Sequence, residues 1–138
     1  MATILAAVGI SDDEKIERVS RLLAAMNTGE LDAAVELSHP DIVLVRPGGA
    51  GELQGTEQLR AWMEPDAFES QVTEILGCEM HGERALVHVR SRARGAGSGI
   101  EIDIGAWTVY SFDVRGRFTR VEIYLEHEED EARRALRE

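Results

Sequence analysis

The sequence predicts one α+β domain, and three observations carry that prediction. Helix-like periodicity is grouped in the first half of the chain and strand-like alternation fills the second; no linker, internal repeat or low-complexity tract divides them. At 138 residues the chain suits one domain with one real core. The domain is expected over 11–138, preceded by an N-terminal arm over 1–10. That arm, MATILAAVGI, is apolar but has no basic flank and meets Ser11-Asp12-Asp13-Glu14 at once. It is too short and wrongly flanked for a secretion signal or a membrane span.

Ser11 and Glu14 form a capping box, after which Ile16, Val19, Leu22, Leu23 and Met26 recur at helical spacing. Gly29 supplies the stop. A second short helix is expected from Leu31 to Ser38, ended by Pro40. Asp41 to Arg46 is a β-branched run halted by Pro47-Gly48-Gly49, hence a strand and a turn. Gly55-Thr56-Glu57 opens a third helix with Leu59, Trp62 and Met63 on its apolar face, and Pro65 closes it. Residues 70–80, 83–94, 100–114 and 117–126 then read as strands with short glycine breaks, which implies an antiparallel meander. Residues 128–136 end the chain as a charged helix.

The net charge of −11 disfavours nucleic acid and anionic membranes as partners. Cys78 is the one cysteine, so no intramolecular disulfide forms, and a reducing cytoplasm is the simplest expectation. Its run Ile75-Leu76-Gly77-Cys78 reads as buried strand, with Cys78 an inert core thiol. His39, His81, His88 and His127 lack metal-ligand spacing, and no metal or other cofactor is expected. Gly95-Ala96-Gly97-Ser98-Gly99 lacks the lysine and helix of a phosphate loop. The acidic run from Glu126 to Glu131 fits a helix start better than a metal site.

Alternation puts Ile102, Ile104, Ala106, Thr108, Tyr110 and Phe112 on one face of the third long strand. In the last strand Thr119, Val121, Ile123 and Leu125 oppose Phe118, Arg120, Glu122 and Tyr124. Trp107, Val109, Phe118 and Tyr124 would then form an aromatic patch on the outer sheet face, and a homodimer through that face is expected.

The segments MNTGELDAAVELSHPDIVLVRPGG, LQGTEQLRAWM and RGRFTRVEIYLEHEEDEARRAL resemble, in order and spacing, the SnoaL-like branch of the nuclear-transport-factor-2-like superfamily. The resemblance covers the chain from residue 12 and implies a curved antiparallel sheet wrapped around the N-terminal helices, a cone with an internal pocket. The family includes polyketide cyclases, ketosteroid isomerases, epoxide hydrolases, and non-enzymatic binding and assembly domains, so the fold leaves activity open. The family's catalytic carboxylates correspond here to Arg46, to Thr108 or its neighbourhood, and to about Ile123. None of the three is an acid.

Arg46 shares a strand face with Ile42 and Leu44, so its guanidinium is expected to reach the pocket, where it can grip a carboxylate, enolate or phosphate. The competing readings are a structural ion pair with an acid such as Glu52 or Asp103, and an exposed strand end. Tyr110 can donate to a ligand oxygen, or satisfy itself on backbone or water. Thr108 and Ile123 face the same side, and Trp62 and Met63 roof the pocket. The leading expectation is a pocket for a small, largely apolar, possibly anionic metabolite, lined by Arg46, Trp62, Met63, Thr108, Tyr110 and Ile123. The rivals are a cofactor-independent cyclase, isomerase or epoxide-hydrolase-like enzyme using Arg46, Thr108 and Tyr110, and a structural dimerisation module.

Overall fold

The computed structural model describes residues 10–63 and 68–138. Most of the expected arm, residues 1–9, and Pro65 lie outside them. Helix α1 (Asp12–Thr28) starts where Ser11 Oγ accepts the Glu14 amide at 3.2 Å and stops at Gly29, whose φ of 76° only glycine adopts readily. Helix α2 (Leu31–Glu36) follows, and Ser38 already begins strand β1 (Ser38–Val45), two residues earlier than Pro40 would suggest. A 3-10 turn at Pro47–Gly49 leads to a short strand β2 (Glu52–Gln54), which periodicity could not reveal in three residues. Helix α3 (Thr56–Met63), strands β3 (Phe68–His81), β4 (Arg84–Gly95), β5 (Glu101–Phe112) and β6 (Phe118–Leu125), and helix α4 (Glu129–Arg137) complete the chain.

The sheet is curved and unclosed, with strand order β2-β1-β6-β5-β4-β3. Strands β3 to β6 form the expected antiparallel meander. The sheet is nevertheless mixed, because β1 lies parallel to β6, with Leu44 opposite Val121. The meander ends at β6, and β1 returns to the sheet only through a non-local pairing that spacing along the chain does not encode.

Helices α1, α2 and α3 cover the inner face. Val19, Leu22, Leu23, Leu59 and Met63 meet Ile42, Leu44, Val87, Val89 and Val121 there. The α1 stripe holds at Val19, Leu22, Leu23 and Met26 and departs at its start. Ile16 is exposed, whereas Lys15 is buried and places Nζ 2.7 Å from the Gly82 carbonyl in the β3–β4 turn. A long aliphatic stem with one satisfied ammonium fills that position as well as isoleucine would.

Phe118 is a second correction. It is fully buried on the inner side, against Tyr110 and Phe112 at ring distances of 5.3 and 4.9 Å. The pairing of β5 with β6 slips between Ser111 and Phe112, and a slip of one residue sends the side chain to the opposite face. The outer patch is also not bare. Helix α4 lays Ala132 and Leu136 over Leu86 and Val109, with Trp107 and Tyr124 beside them. The exposed patch that motivated a homodimer is thus covered by the chain itself. Cys78 is exposed rather than buried, because β3 is the edge strand and its ladder is irregular between Ile75 and Gly77. No helix among the described residues is long and apolar enough to cross a membrane.

Candidate functional site

Between the helical layer and the inner sheet face lies a cavity of about 310 Å³. Helix α1 contributes Leu22, Leu23 and Met26, and α3 contributes Leu59, Trp62 and Met63. Strand β1 adds Ser38, Ile42 and Leu44. The meander presents its inward residues in rows, among them Thr73, Ser91, Ala106, Thr108, Tyr110 and Ile123. Period-two alternation on neighbouring strands in register gives this wall: Thr108 pairs with Val87 on one side and Ile123 on the other.

The exposures of the wall mark its two ends. Ile104 and Trp62 line the cavity yet remain 56% and 38% exposed, so they stand at the opening. Thr108 and Tyr110, 5% and 3% exposed, stand at the closed end. Burial pushes the Tyr110 phenol well above its ordinary value, and the Thr108 side chain acts weakly the other way. Tyr110 is therefore a neutral hydroxyl at physiological pH.

Among the described residues lining the cavity there is no Asp, Glu, His, Lys or Arg. Five expected positions, Trp62, Met63, Thr108, Tyr110 and Ile123, are brought together in one wall and roof. Arg46 is not with them. Alternation points it inward, but the turn after β1 draws it away. Its amide donates to the Gly51 carbonyl at 3.0 Å, and its guanidinium donates to the Ala50 carbonyl. Nor does it form either expected ion pair. Glu52 faces Arg120 at 3.6 Å, and Asp103 holds Arg90 at 2.7 Å. Arg46 Nε is buried without a hydrogen-bond partner among the described residues.

The model of the SnoaL-like domain matches residues 19–121. The chain belongs to the SnoaL-like family. Solved structures of the same fold include SalBIII, an epoxide hydrolase/cyclase-like enzyme with a role in pyran ring formation in the polyether salinomycin. It shares 16% identity over 83% of this chain and 92% of its own, with a TM-score of 0.76. An epoxide hydrolase of M. tuberculosis described as LEH-like shares 16% identity over 90% of both chains, at a TM-score of 0.71. RV0760c from M. tuberculosis, solved in complex with estradiol-17beta-hemisuccinate, shares 11% identity over 80% of this chain and 92% of its own, also at 0.71. At these identities the likeness is one of fold. No curated protein matches the chain.

Of the three positions near which the resemblance implies carboxylates, Thr108 and Ile123 sit side by side in the cavity wall. The third, Arg46, lies outside it. Sequence reasoning missed the polar residues Ser38, Gln71, Thr73 and Ser91. Ser38 donates to the Ala34 carbonyl at 2.9 Å and is thereby satisfied. The other three were legible in principle: Gln71 and Thr73 alternate with exposed Val72 and Glu74, and Ser91 with exposed Arg90 and Arg92.

The outer face carries a separate polar cluster. His88 stacks on Trp107 with centroids 3.9 Å apart, and its Nε2 lies 3.0 and 3.1 Å from the two carboxylate oxygens of Glu126. Gly105 makes room for that carboxylate, since a Cβ there would overlap it. Among the described residues no three metal-ligating side chains gather at one point.

Proposed function

We propose that this protein is a binding pocket for a small, neutral, largely apolar molecule bearing a hydrogen-bonding oxygen. The observation that carries the reading is the cavity lining, apolar apart from hydroxyl and amide side chains and without an acid or a base among the described residues. Burying a charged ligand against such a wall would leave an uncompensated charge, whereas an apolar skeleton gains about 25 cal/mol for each Å² it buries. Tyr110 and Thr108 at the closed end supply hydroxyls that orient one polar atom.

Hydrolase, isomerase or cyclase chemistry in this cavity would need a general base within reach of the reacting atom. The described lining offers none, which favours binding over turnover. The anionic variant of the ligand loses support with Arg46 directed into its own turn. A purely structural module gives no reason for an open cavity of this size, since an interior without function packs more tightly.

A thermal-shift screen against 9-fluorenone, a cyclic epoxide and a carboxylic acid of the same skeleton tests the reading. Fluorenone should raise the melting temperature and the acid should not. Ala106→Phe, which fills the middle of the cavity, should remove the effect while the protein stays folded. Hydrolysis of the epoxide, lost in Thr108→Val, would replace the reading with an enzymatic one.

A further inference from the structure

The polar groups of the cavity fall into two sets at opposite ends, and only the closed-end set has been given a role so far. Near the opening, Thr73 on β3 and Ser91 on β4 face one another with their hydroxyl oxygens 2.9 Å apart. Each hydroxyl carries one proton, and the contact between them occupies only one of the two. No other partner for either hydroxyl occurs among the described residues, so one donor and several lone pairs remain open. Gln71, one inward position further along β3, adds an amide that also lines the cavity.

This pair is held in place from outside the cavity. Strand β3 is a sheet edge, and an edge strand leaves alternate amides and carbonyls unpaired. At Thr73 both groups are taken up by one side chain from α1: Asn27 Oδ1 accepts the Thr73 amide at 2.8 Å, and Asn27 Nδ2 donates to the Thr73 carbonyl at 3.1 Å. Asn27 thus acts as a substitute strand. With its backbone groups turned to the edge, Thr73 forms a non-hydrogen-bonded pair with Ser91, the arrangement in which side chains approach most closely. An open donor at a fixed, half-buried position beside an apolar channel is matched best by a molecule in the channel that carries an acceptor there.

The spacing to the other set is defined by the ladder. Ser91 pairs with Ile104, and Thr108 lies four residues further along β5, a separation of about 13 Å at the usual strand rise. We infer that the Thr73–Ser91 pair with Gln71 is a second ligand subsite, and that the pocket takes a rigid, elongated apolar molecule with a hydroxyl or carbonyl oxygen at each end. The inference rests on the binding reading proposed above and narrows the ligand class within it.

Three probes of one skeleton separate the two ideas: biphenyl, 4-hydroxybiphenyl and 4,4′-dihydroxybiphenyl, titrated calorimetrically at pH 7 into the full chain. The dihydroxy compound should bind about tenfold more tightly than the monohydroxy one, as one further hydrogen bond to a fixed donor allows. In Thr73→Val/Ser91→Ala that ratio should fall to about one, with the affinity for 4-hydroxybiphenyl held within about twofold. Ser91→Ala alone leaves the Asn27 contacts intact, guards against misfolding of the double variant, and should lower the ratio at least about threefold. Equal affinities for the mono- and dihydroxy probes in the wild-type protein would overturn the second subsite and leave the binding reading standing. Failure of all three probes to bind would overturn both.

Discussion

At the scale of single residues, the environment of Tyr110 has a consequence for stability that pH can expose. Burial raises its pKa in the folded protein, whereas in the unfolded chain the phenol titrates near its ordinary value of about 10. The neutral form is thus favoured by folding. That contribution is complete below pH 10 and is lost as pH climbs from there toward the folded value. Tyr124 acts in the same direction: burial and the Glu122 carboxylate, which accepts its hydroxyl at 2.9 Å, push it up to about 12. Urea midpoints should therefore fall between pH 10 and 11, and Tyr110→Phe should make that fall shallower, with Tyr124 supplying the remainder. A midpoint in Tyr110→Phe that drops as steeply as in the wild type would refute this assignment. Tyr110 was legible because it sits in an unbroken alternation of inward residues. Arg46 was not, because the glycine-rich turn after it redirects a side chain that alternation sends inward, and no spacing rule contains that turn.

At the scale of elements, α4 covers part of the outer sheet face that alternation left bare. It buries Leu136 and Ala132 on the outer face of β4 and β5, and Arg84 Nη1 donates to the Ala135 carbonyl at 2.6 Å to fasten its end. Full burial of one leucine contributes about 2 kcal/mol. Deleting residues 129–138 should lower stability by about 3 kcal/mol once the associated contacts are counted, and should uncover Leu86 and Val109. Equilibrium urea unfolding reads the first effect, and light scattering should show the truncated chain associating more strongly than the full chain. An unchanged midpoint would mean that α4 is only loosely applied. The helix itself was visible in the sequence as a charged segment. Its docking was not, since two small-to-medium apolar residues among charges give little sign of which face they meet. The same limit hid the parallel return of β1 and the slip that turns Phe118 inward. Local periodicity encodes faces within an element, while pairing partners and bulges are settled by the whole sheet.

At the scale of the whole molecule, the strong net negative charge and the uncharged described lining of the cavity are separate features. Acids of the described residues form ion pairs such as Glu74–Arg92, Asp103–Arg90 and Glu101–Arg94 on the outer sheet face, and the described lining of the cavity takes none of them. The α+β fold and the inward residues of β5, with Val121 and Ile123 of β6, could be read from alternation and from the resemblance to the SnoaL-like family; Phe118 could not. The lack of a base in the described lining of the cavity could only be half read, as three missing carboxylates, because spacing along one strand says nothing of what the other strands present. The central claim is that binding occurs in a cavity whose described lining carries no acid, histidine, lysine or arginine to titrate between pH 5 and 9. Isothermal titration of 9-fluorenone, itself without an ionisable group, tests it most directly. The dissociation constant should agree within about twofold at pH 5, 7 and 9; a change of about tenfold across that range would place an ionising group at the ligand and contradict the account.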